Sequence, residues 1–186
     1  MKTGLFFGSF NPVHIGHLII SQYILNEAKL DRIKFVVSPH NPLKEKTDLI
    51  DQLERLEMVK QSIADNPQFF VEDIEFTLPQ PSFTIHTLAA LKAKYPDETF
   101  SIVMGSDSLA NLHLWKDFET LLDYPIWVYK RSADFKNPFP QKSNIVVFDS
   151  PILNISATKI REMLAQNQSV KYLVRDEILS VLKKEL

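Results

Sequence analysis

Gly4-Leu5-Phe6-Phe7-Gly8-Ser9-Phe10-Asn11-Pro12-Val13-His14-Ile15-Gly16-His17 opens with a short apolar run, passes through a turn-rich segment and ends on two histidines. From Ile15 to Leu30 the residues Leu18, Ile19, Tyr23, Ile24 and Ala28 recur at helical spacing. The stretch therefore predicts strand, loop, helix. Its loop falls at the carboxyl end of a strand, where open α/β sheets bind ligands. Gly8 is expected to let the backbone turn tightly, and Gly16 to remove side-chain bulk at the helix start.

Outward from this stretch the same alternation repeats. Ile33 to Val37 is rich in β-branched and aromatic residues and stops at Ser38-Pro39-His40-Asn41-Pro42, whose prolines forbid a continuing strand. Asp48 and Asp51 can cap a helix in which Leu53, Leu56, Val59, Lys60 and Ile63 recur until Asn66-Pro67. A third strand is expected over Phe69 to Leu78, a helix over Thr87 to Tyr95 and a fourth strand over Phe100 to Met104. One or two short helices follow between Asp107 and Asp123, then strands over Ile126 to Tyr129 and Ile145 to Phe148. Helices over Ser156 to Ala165 and Asp176 to Lys184 close the chain. The polar connection Arg131 to Ser143 reads as a surface loop. Such alternation favours parallel strands joined by right-handed crossovers, with helices on both faces of one open sheet. The expectation is a single doubly wound α/β domain over residues 1–186, with a C-terminal helical segment from about 155 to 186.

At 186 residues with 45% hydrophobic and 24% charged residues, the chain suits one well-buried domain. The 21 Lys and Arg against 23 Asp and Glu leave a net charge of -2, so no general positive field attracts a nucleic-acid polymer and any anion needs a local site. The absence of cysteine excludes disulfides, thiolate nucleophiles and cysteine zinc sites. No signal-like start and no run of roughly 18 apolar residues is seen, so a soluble cytoplasmic protein without a membrane partner is expected. The four glycines form neither Gly-x-Gly-x-x-Gly nor a Walker A loop.

Two segments carry chemistry. His14 and His17, three apart at the positive end of a helix, can share one face around an anion. They equally suit ordinary helix-start histidines; a zinc site or metal-dependent hydrolase would need further ligands that no Cys or His-Glu-x-x-His pattern supplies. Near the other end, Ile155-Ser156-Ala157-Thr158-Lys159-Ile160-Arg161 opens a helix with Ser156 as cap, free amides suited to phosphate, and Arg161 able to reach back with a bidentate guanidinium. A capped surface helix with an exposed Arg is the plain alternative.

His14-Ile15-Gly16-His17 resembles the Thr/His-x-Gly-His signature of the nucleotidyltransferase superfamily, and residues 155–161 resemble its second signature, Ile-Ser-Ser-Thr-x-Ile/Val-Arg, with Ala157 in place of the second Ser. The resemblance implies a Rossmann-like nucleotidyltransferase domain. It implies that His14 and His17 contact the nucleotide phosphates and stabilise departing pyrophosphate, that Gly8, Ser9 and Phe10 face ATP, and that Ser156, Thr158 and Arg161 hold its phosphates. Ala157 removes one hydroxyl from that set.

Between the two signatures, Gly105-Ser106-Asp107 followed by Trp115 resembles the bacterial nicotinate mononucleotide adenylyltransferases, as does Ser82-Phe83-Thr84-Ile85-His86-Thr87-Leu88. An acidic group at a strand end can accept from a ribose, and an indole can stack on a flat ring. A helix-capping Asp107 and a core Trp115 are the bland alternatives. The resemblance implies nucleotide contacts for Gly105 and Asp107 and acceptor contacts for Thr84 and Trp115. His86 stands where that family usually has Asp, so no role transfers there. Lys44, in Pro39-His40-Asn41-Pro42-Leu43-Lys44, resembles the family's basic loop and is expected to bring positive charge to the reacting phosphates. The implied reaction is AMP transfer from ATP, with Mg2+, to nicotinate mononucleotide. Adenylyltransferases for nicotinamide mononucleotide or phosphopantetheine, and a non-catalytic nucleotide-binding module, are the competing readings.

Overall fold

Six parallel strands form one sheet in the order β3-β2-β1-β4-β5-β6. They are β1 (Lys2–Gly8), β2 (Arg32–Val37), β3 (Phe69–Glu72), β4 (Thr99–Gly105), β5 (Ile126–Tyr129) and β6 (Ile145–Phe148). The helices are α1 (Ile15–Glu27), α2 (Gln52–Ile63), α3 (Thr84–Lys94), α4 (Ser106–Ala110), α5 (Phe118–Leu121), α6 (Ala157–Ala165) and α7 (Leu179–Glu185). This computed structural model describes residues 1–40 and 49–185. No described helix is long and apolar enough to cross a membrane.

The central strands are near-continuous apolar runs because both sheet faces are covered, as parallel sheets require. One face buries Phe6, Ile33, Phe35 and Val37 under α1, α2 and the C-terminal segment, through Ile24, Val59, Ile160, Ile178 and Leu182. The other buries Leu5, Val36, Ile102 and Met104 under α3, α4 and α5, through Leu88, Leu91, Leu109 and Leu121. Successive side chains point to opposite faces, so Leu5 and Phe6 enter different cores. Because the chain reverses its direction of winding between β1 and β4, a crevice opens at their carboxyl ends.

Several expectations shift. The run from Phe69 stays a strand only to Glu72; Ile74–Thr77 winds into a 3-10 turn that buries Ile74 in the second core and brings Glu75 to the hydroxyls of Ser82 and Thr87. Helix α3 begins at Thr84, three residues earlier than its apolar spacing indicates, with Phe83 at the cap position and the Ser82 hydroxyl donating to Glu75 instead of capping. The segment after β4 divides into α4, a 3-10 turn at Leu112–Leu114, and α5. On α2, Asp51 caps as expected, accepting from the amides of Leu53 and Glu54, whereas Asp48 lies outside the described residues. Leu53 is 61% exposed, and the buried stripe of α2 is led instead by Arg55.

Candidate active site

The crevice at the carboxyl ends of β1 and β4 is a cleft of about 660 Å³. It is walled by the β1–α1 loop, the start of α3, the β4–α4 junction, the segment around Trp115, the end of β5 and the start of α6. Each element delivers its side chains because its strand or helix ends there.

The β1–α1 loop makes its turn differently from the sequence expectation. No glycine has a positive φ; Phe10 does, at 47°. An aromatic residue in the left-handed region costs on the order of 1–3 kcal/mol and persists only when its surroundings enforce it. Here the ring is buried and packs edge-on against Phe6 and His17 at centroid distances of 5.8 and 5.1 Å. Gly8 is the last residue of β1 and lines the cleft beside Ser9 and Phe10. The Ser9 hydroxyl is buried with no hydrogen-bond partner among the described residues.

His14 occupies the N-cap position of α1 and His17 its first turn, with the rings stacked at 3.7 Å. The His14 backbone N–H donates to His17 Nδ1 at 3.2 Å. A neutral imidazole accepting at Nδ1 carries its proton on Nε2, on the side away from the helix backbone. His14 is buried and its Nδ1 has no partner among the described residues. Burial, reinforced by the positive charge of Arg131, pushes its pKa down to about 4, so the ring is neutral near pH 7. Gly16 allows this packing, because a Cβ there would lie 3.0 Å from His14 Nδ1.

Helix α6 closes the cleft from the far end of the sequence. Ser156 caps it by accepting the Lys159 amide at 3.2 Å. Arg161 Nη1 donates to the Asn11 carbonyl at 2.8 Å, joining positions 150 apart. The Ile15 amide likewise donates to the Leu173 carbonyl at 2.9 Å, and Ile160 is fully buried in the core shared with α1. Ser156, Ala157, Thr158 and Arg161 therefore face the same space as His14 and His17.

The remaining walls carry the middle segments. Gly105 ends β4, and Asp107 stands in the first turn of α4, 3.4 Å from Arg131 Nε. Thr84 opens α3 with no side chain capping the helix. Trp115 is half-buried; it packs against the second core and also lines the cleft.

Every predicted site residue within the described chain lines this cleft: Gly8, Ser9, Phe10, His14, His17, Thr84, Gly105, Asp107, Trp115, Ser156, Thr158 and Arg161. Lys44 lies outside the described residues. His86 is exposed on α3 and is not part of the cleft wall, its ring meeting Phe83 edge-on.

Sequence reading missed Arg131, Glu75 and Lys116, which also line the cleft. Arg131 follows Tyr129 at the end of β5 and donates to the Tyr129 hydroxyl at 3.2 Å. The available signal was a cation two positions after a strand beside the crevice; assigning residues from 131 onward to a surface loop hid it. Among the described residues no group of His, Asp and Glu side chains forms a metal cage.

Residues 5–163 match the family model described as cytidylyltransferase-like. A Cytophaga hutchinsonii protein named probable nicotinate-nucleotide adenylyltransferase is 42% identical over 179 residues, covering 96% of this chain and 93% of its own length. One of the same name from Flavobacterium johnsoniae is 44% identical over 181 residues, covering 96% and 94%. Among solved structures, Plasmodium falciparum nicotinic acid mononucleotide adenylyltransferase complexed with NaAD superposes with a TM-score of 0.80, covering 100% of this chain and 98% of that one. At 20% identity that likeness speaks to the fold.

Proposed function

Because the chain belongs to the cytidylyltransferase-like family, we propose that it transfers the adenylyl group of ATP to nicotinate mononucleotide, giving nicotinate adenine dinucleotide and pyrophosphate. The activity is that of a nicotinate-nucleotide adenylyltransferase in NAD biosynthesis. The observation that carries the mechanistic reading is the Arg161 bond to the Asn11 carbonyl, which brings the two phosphate-suited segments to one cleft.

In this reading an oxygen of the acceptor 5′-phosphate attacks the α-phosphorus of ATP in line with the departing pyrophosphate. The new P–O bond forms as the bond to the α–β bridging oxygen breaks. A phosphate monoester is already anionic near neutral pH, so no protein nucleophile or strong base is needed. Catalysis is alignment and charge neutralisation. His17 serves as an Nε2–H donor, its tautomer held by the His14 amide. His14, uncharged when the cleft is empty, lies beside it and gains an anionic partner when the triphosphate enters. The α6 start with Ser156 and Thr158 supplies backbone and hydroxyl donors, and Arg161 supplies the guanidinium. A divalent cation, Mg2+ in our reading, arrives with ATP as part of the substrate.

Trp115 and Thr84 form the acceptor side. A half-buried indole at the cleft wall favours a flat pyridine ring over a pantetheine chain. Incubation with ATP, Mg2+ and the acid and amide mononucleotides in competition, with product identification and pyrophosphate detection, tests the assignment. Nicotinate adenine dinucleotide is the expected principal product. Exclusive use of nicotinamide mononucleotide or phosphopantetheine, or ATP binding without pyrophosphate release, would overturn it.

A further inference from the structure

Arg55 is 1% exposed, heads the fully buried side chains of the fold by volume, and is not part of the cleft wall. Its Nε donates to the Ile50 carbonyl at 2.9 Å, Nη1 to the carbonyls of Ser9 and Ser38, the latter at 2.8 Å, and Nη2 to the Pro39 carbonyl at 2.9 Å. Four of the five guanidinium N–H groups thus end on main-chain oxygens. The three segments so gathered are the β1–α1 loop, the end of β2 and the approach to α2. Two further bonds stitch the same junction: the Ile50 amide donates to Asn11 Oδ1 at 3.1 Å, and the Ser38 amide to the Gly8 carbonyl at 2.9 Å.

A buried guanidinium is an expensive way to fill a core position, since it must be stripped of water and an apolar side chain fits a helix stripe without that penalty. The return here is directional. Within a planar trans peptide the C=O and the next N–H point oppositely. Holding the Ser9 carbonyl against Arg55 therefore turns the Phe10 N–H away from α2, at a loop that lines the cleft and contains the left-handed turn at φ 47°. Burial also lowers the guanidinium pKa, with nearby Asp51 opposing.

We propose that Arg55 is the positioning residue of the nucleotide loop: by fixing the Ser9 carbonyl and the ends of its neighbours it presents a preformed amide surface to the ATP phosphates. This rests on the adenylyltransferase reading above. Lysine, a point charge with three rotatable donors, cannot span the four carbonyls, and methionine leaves all four without a donor.

The test is titration calorimetry of R55K and R55M with MgATP and, separately, with nicotinate mononucleotide, beside thermal melting. Folded variants are expected to bind ATP at least tenfold more weakly and to lose turnover in proportion. Acceptor affinity is expected to stay within about twofold, because no Arg55 bond reaches Thr84 or Trp115. ATP affinity equal to wild type in a folded variant overturns the proposal, as does an equal loss of both affinities, which marks a general scaffold role. Wild-type protein that binds no ATP would instead sink the adenylyltransferase reading itself. Should neither variant fold, hydrogen exchange of the wild type decides: ATP must slow exchange in residues 8–11 and 50–55 together, and protection confined to 8–11 contradicts the coupling.

Discussion

Replacing His17 by alanine removes two things whose sizes differ. The first is the Nε2–H that, in the proposed mechanism, donates to charge developing on pyrophosphate. One preorganised donor of this kind contributes about 10²–10³ in kcat, or roughly 3–4 kcal/mol of barrier. The second is the acceptor for the His14 backbone N–H, together with the stacked and edge-on contacts to His14, Phe6 and Phe10. Leaving that partly buried donor unmet costs about 1–3 kcal/mol of stability, which for a chain of this size lowers Tm by roughly 2–12 °C. The H17A protein should therefore fold, melt a little earlier and turn over at least about a hundredfold more slowly, with the KM for ATP changed much less than kcat. Continuous pyrophosphate detection below the melting range, paired with circular dichroism, separates the two effects. A folded H17A enzyme retaining more than about a fifth of wild-type kcat would refute the donor role.

His14 gives a prediction in pH. Its folded pKa, about 4, lies below the ordinary 6.5, so the unfolded state binds the extra proton first. Stability is full above pH 6.5 and declines as pH falls toward 4, by up to about 3 kcal/mol. Denaturant melts of H14N should lack that part of the acid slope, and an identical slope would contradict the burial argument. R161K should raise the KM for ATP about 10- to 100-fold, the worth of one or two charge-assisted bonds, with Tm lowered only about 2–4 °C; steady-state kinetics and melting measure both, and an unchanged KM would remove Arg161 from the site. Away from the cleft, Lys34 is 4% exposed, with Nζ 3.0 Å from Glu98, 3.9 Å from Glu72 and 3.3 Å above the Tyr95 ring. K34M should cost about 3–5 kcal/mol by leaving buried carboxylates underpaired, while kcat of the folded fraction holds. Wild-type stability would show the cluster to be dispensable.

The fold was legible because its parallel strands announce themselves as short apolar runs, and β5 and β6 begin and end where those runs do. Both phosphate-suited segments were legible because each is local: a helix start, its cap and a charged or imidazole side chain within a few positions. What escaped was set by tertiary partners. Nothing local announces that Phe10, not Gly8, makes the turn; the ring is held by Phe6, Phe35 and His17 from three different elements. Arg55 sits where helical spacing leads on to Leu56 and Val59, yet a charged residue at the head of that stripe reads as solvent-facing until the carbonyls it serves are in view. The strand expected through Leu78 ends early for the same reason, because the Glu75 carboxylate has two hydroxyl partners seven and twelve positions away.

In the proposed mechanism the imidazole pair near the start of the chain and the capped helix near its end grip one triphosphate. A crystal structure with a non-hydrolysable ATP analogue, Mg2+ and nicotinate mononucleotide tests it most directly. The account predicts phosphate oxygens within hydrogen-bond distance of His17 Nε2 on one side, and of the Arg161 guanidinium and the first amides of α6 on the other. Phosphates bound against only one of the two groups would contradict it.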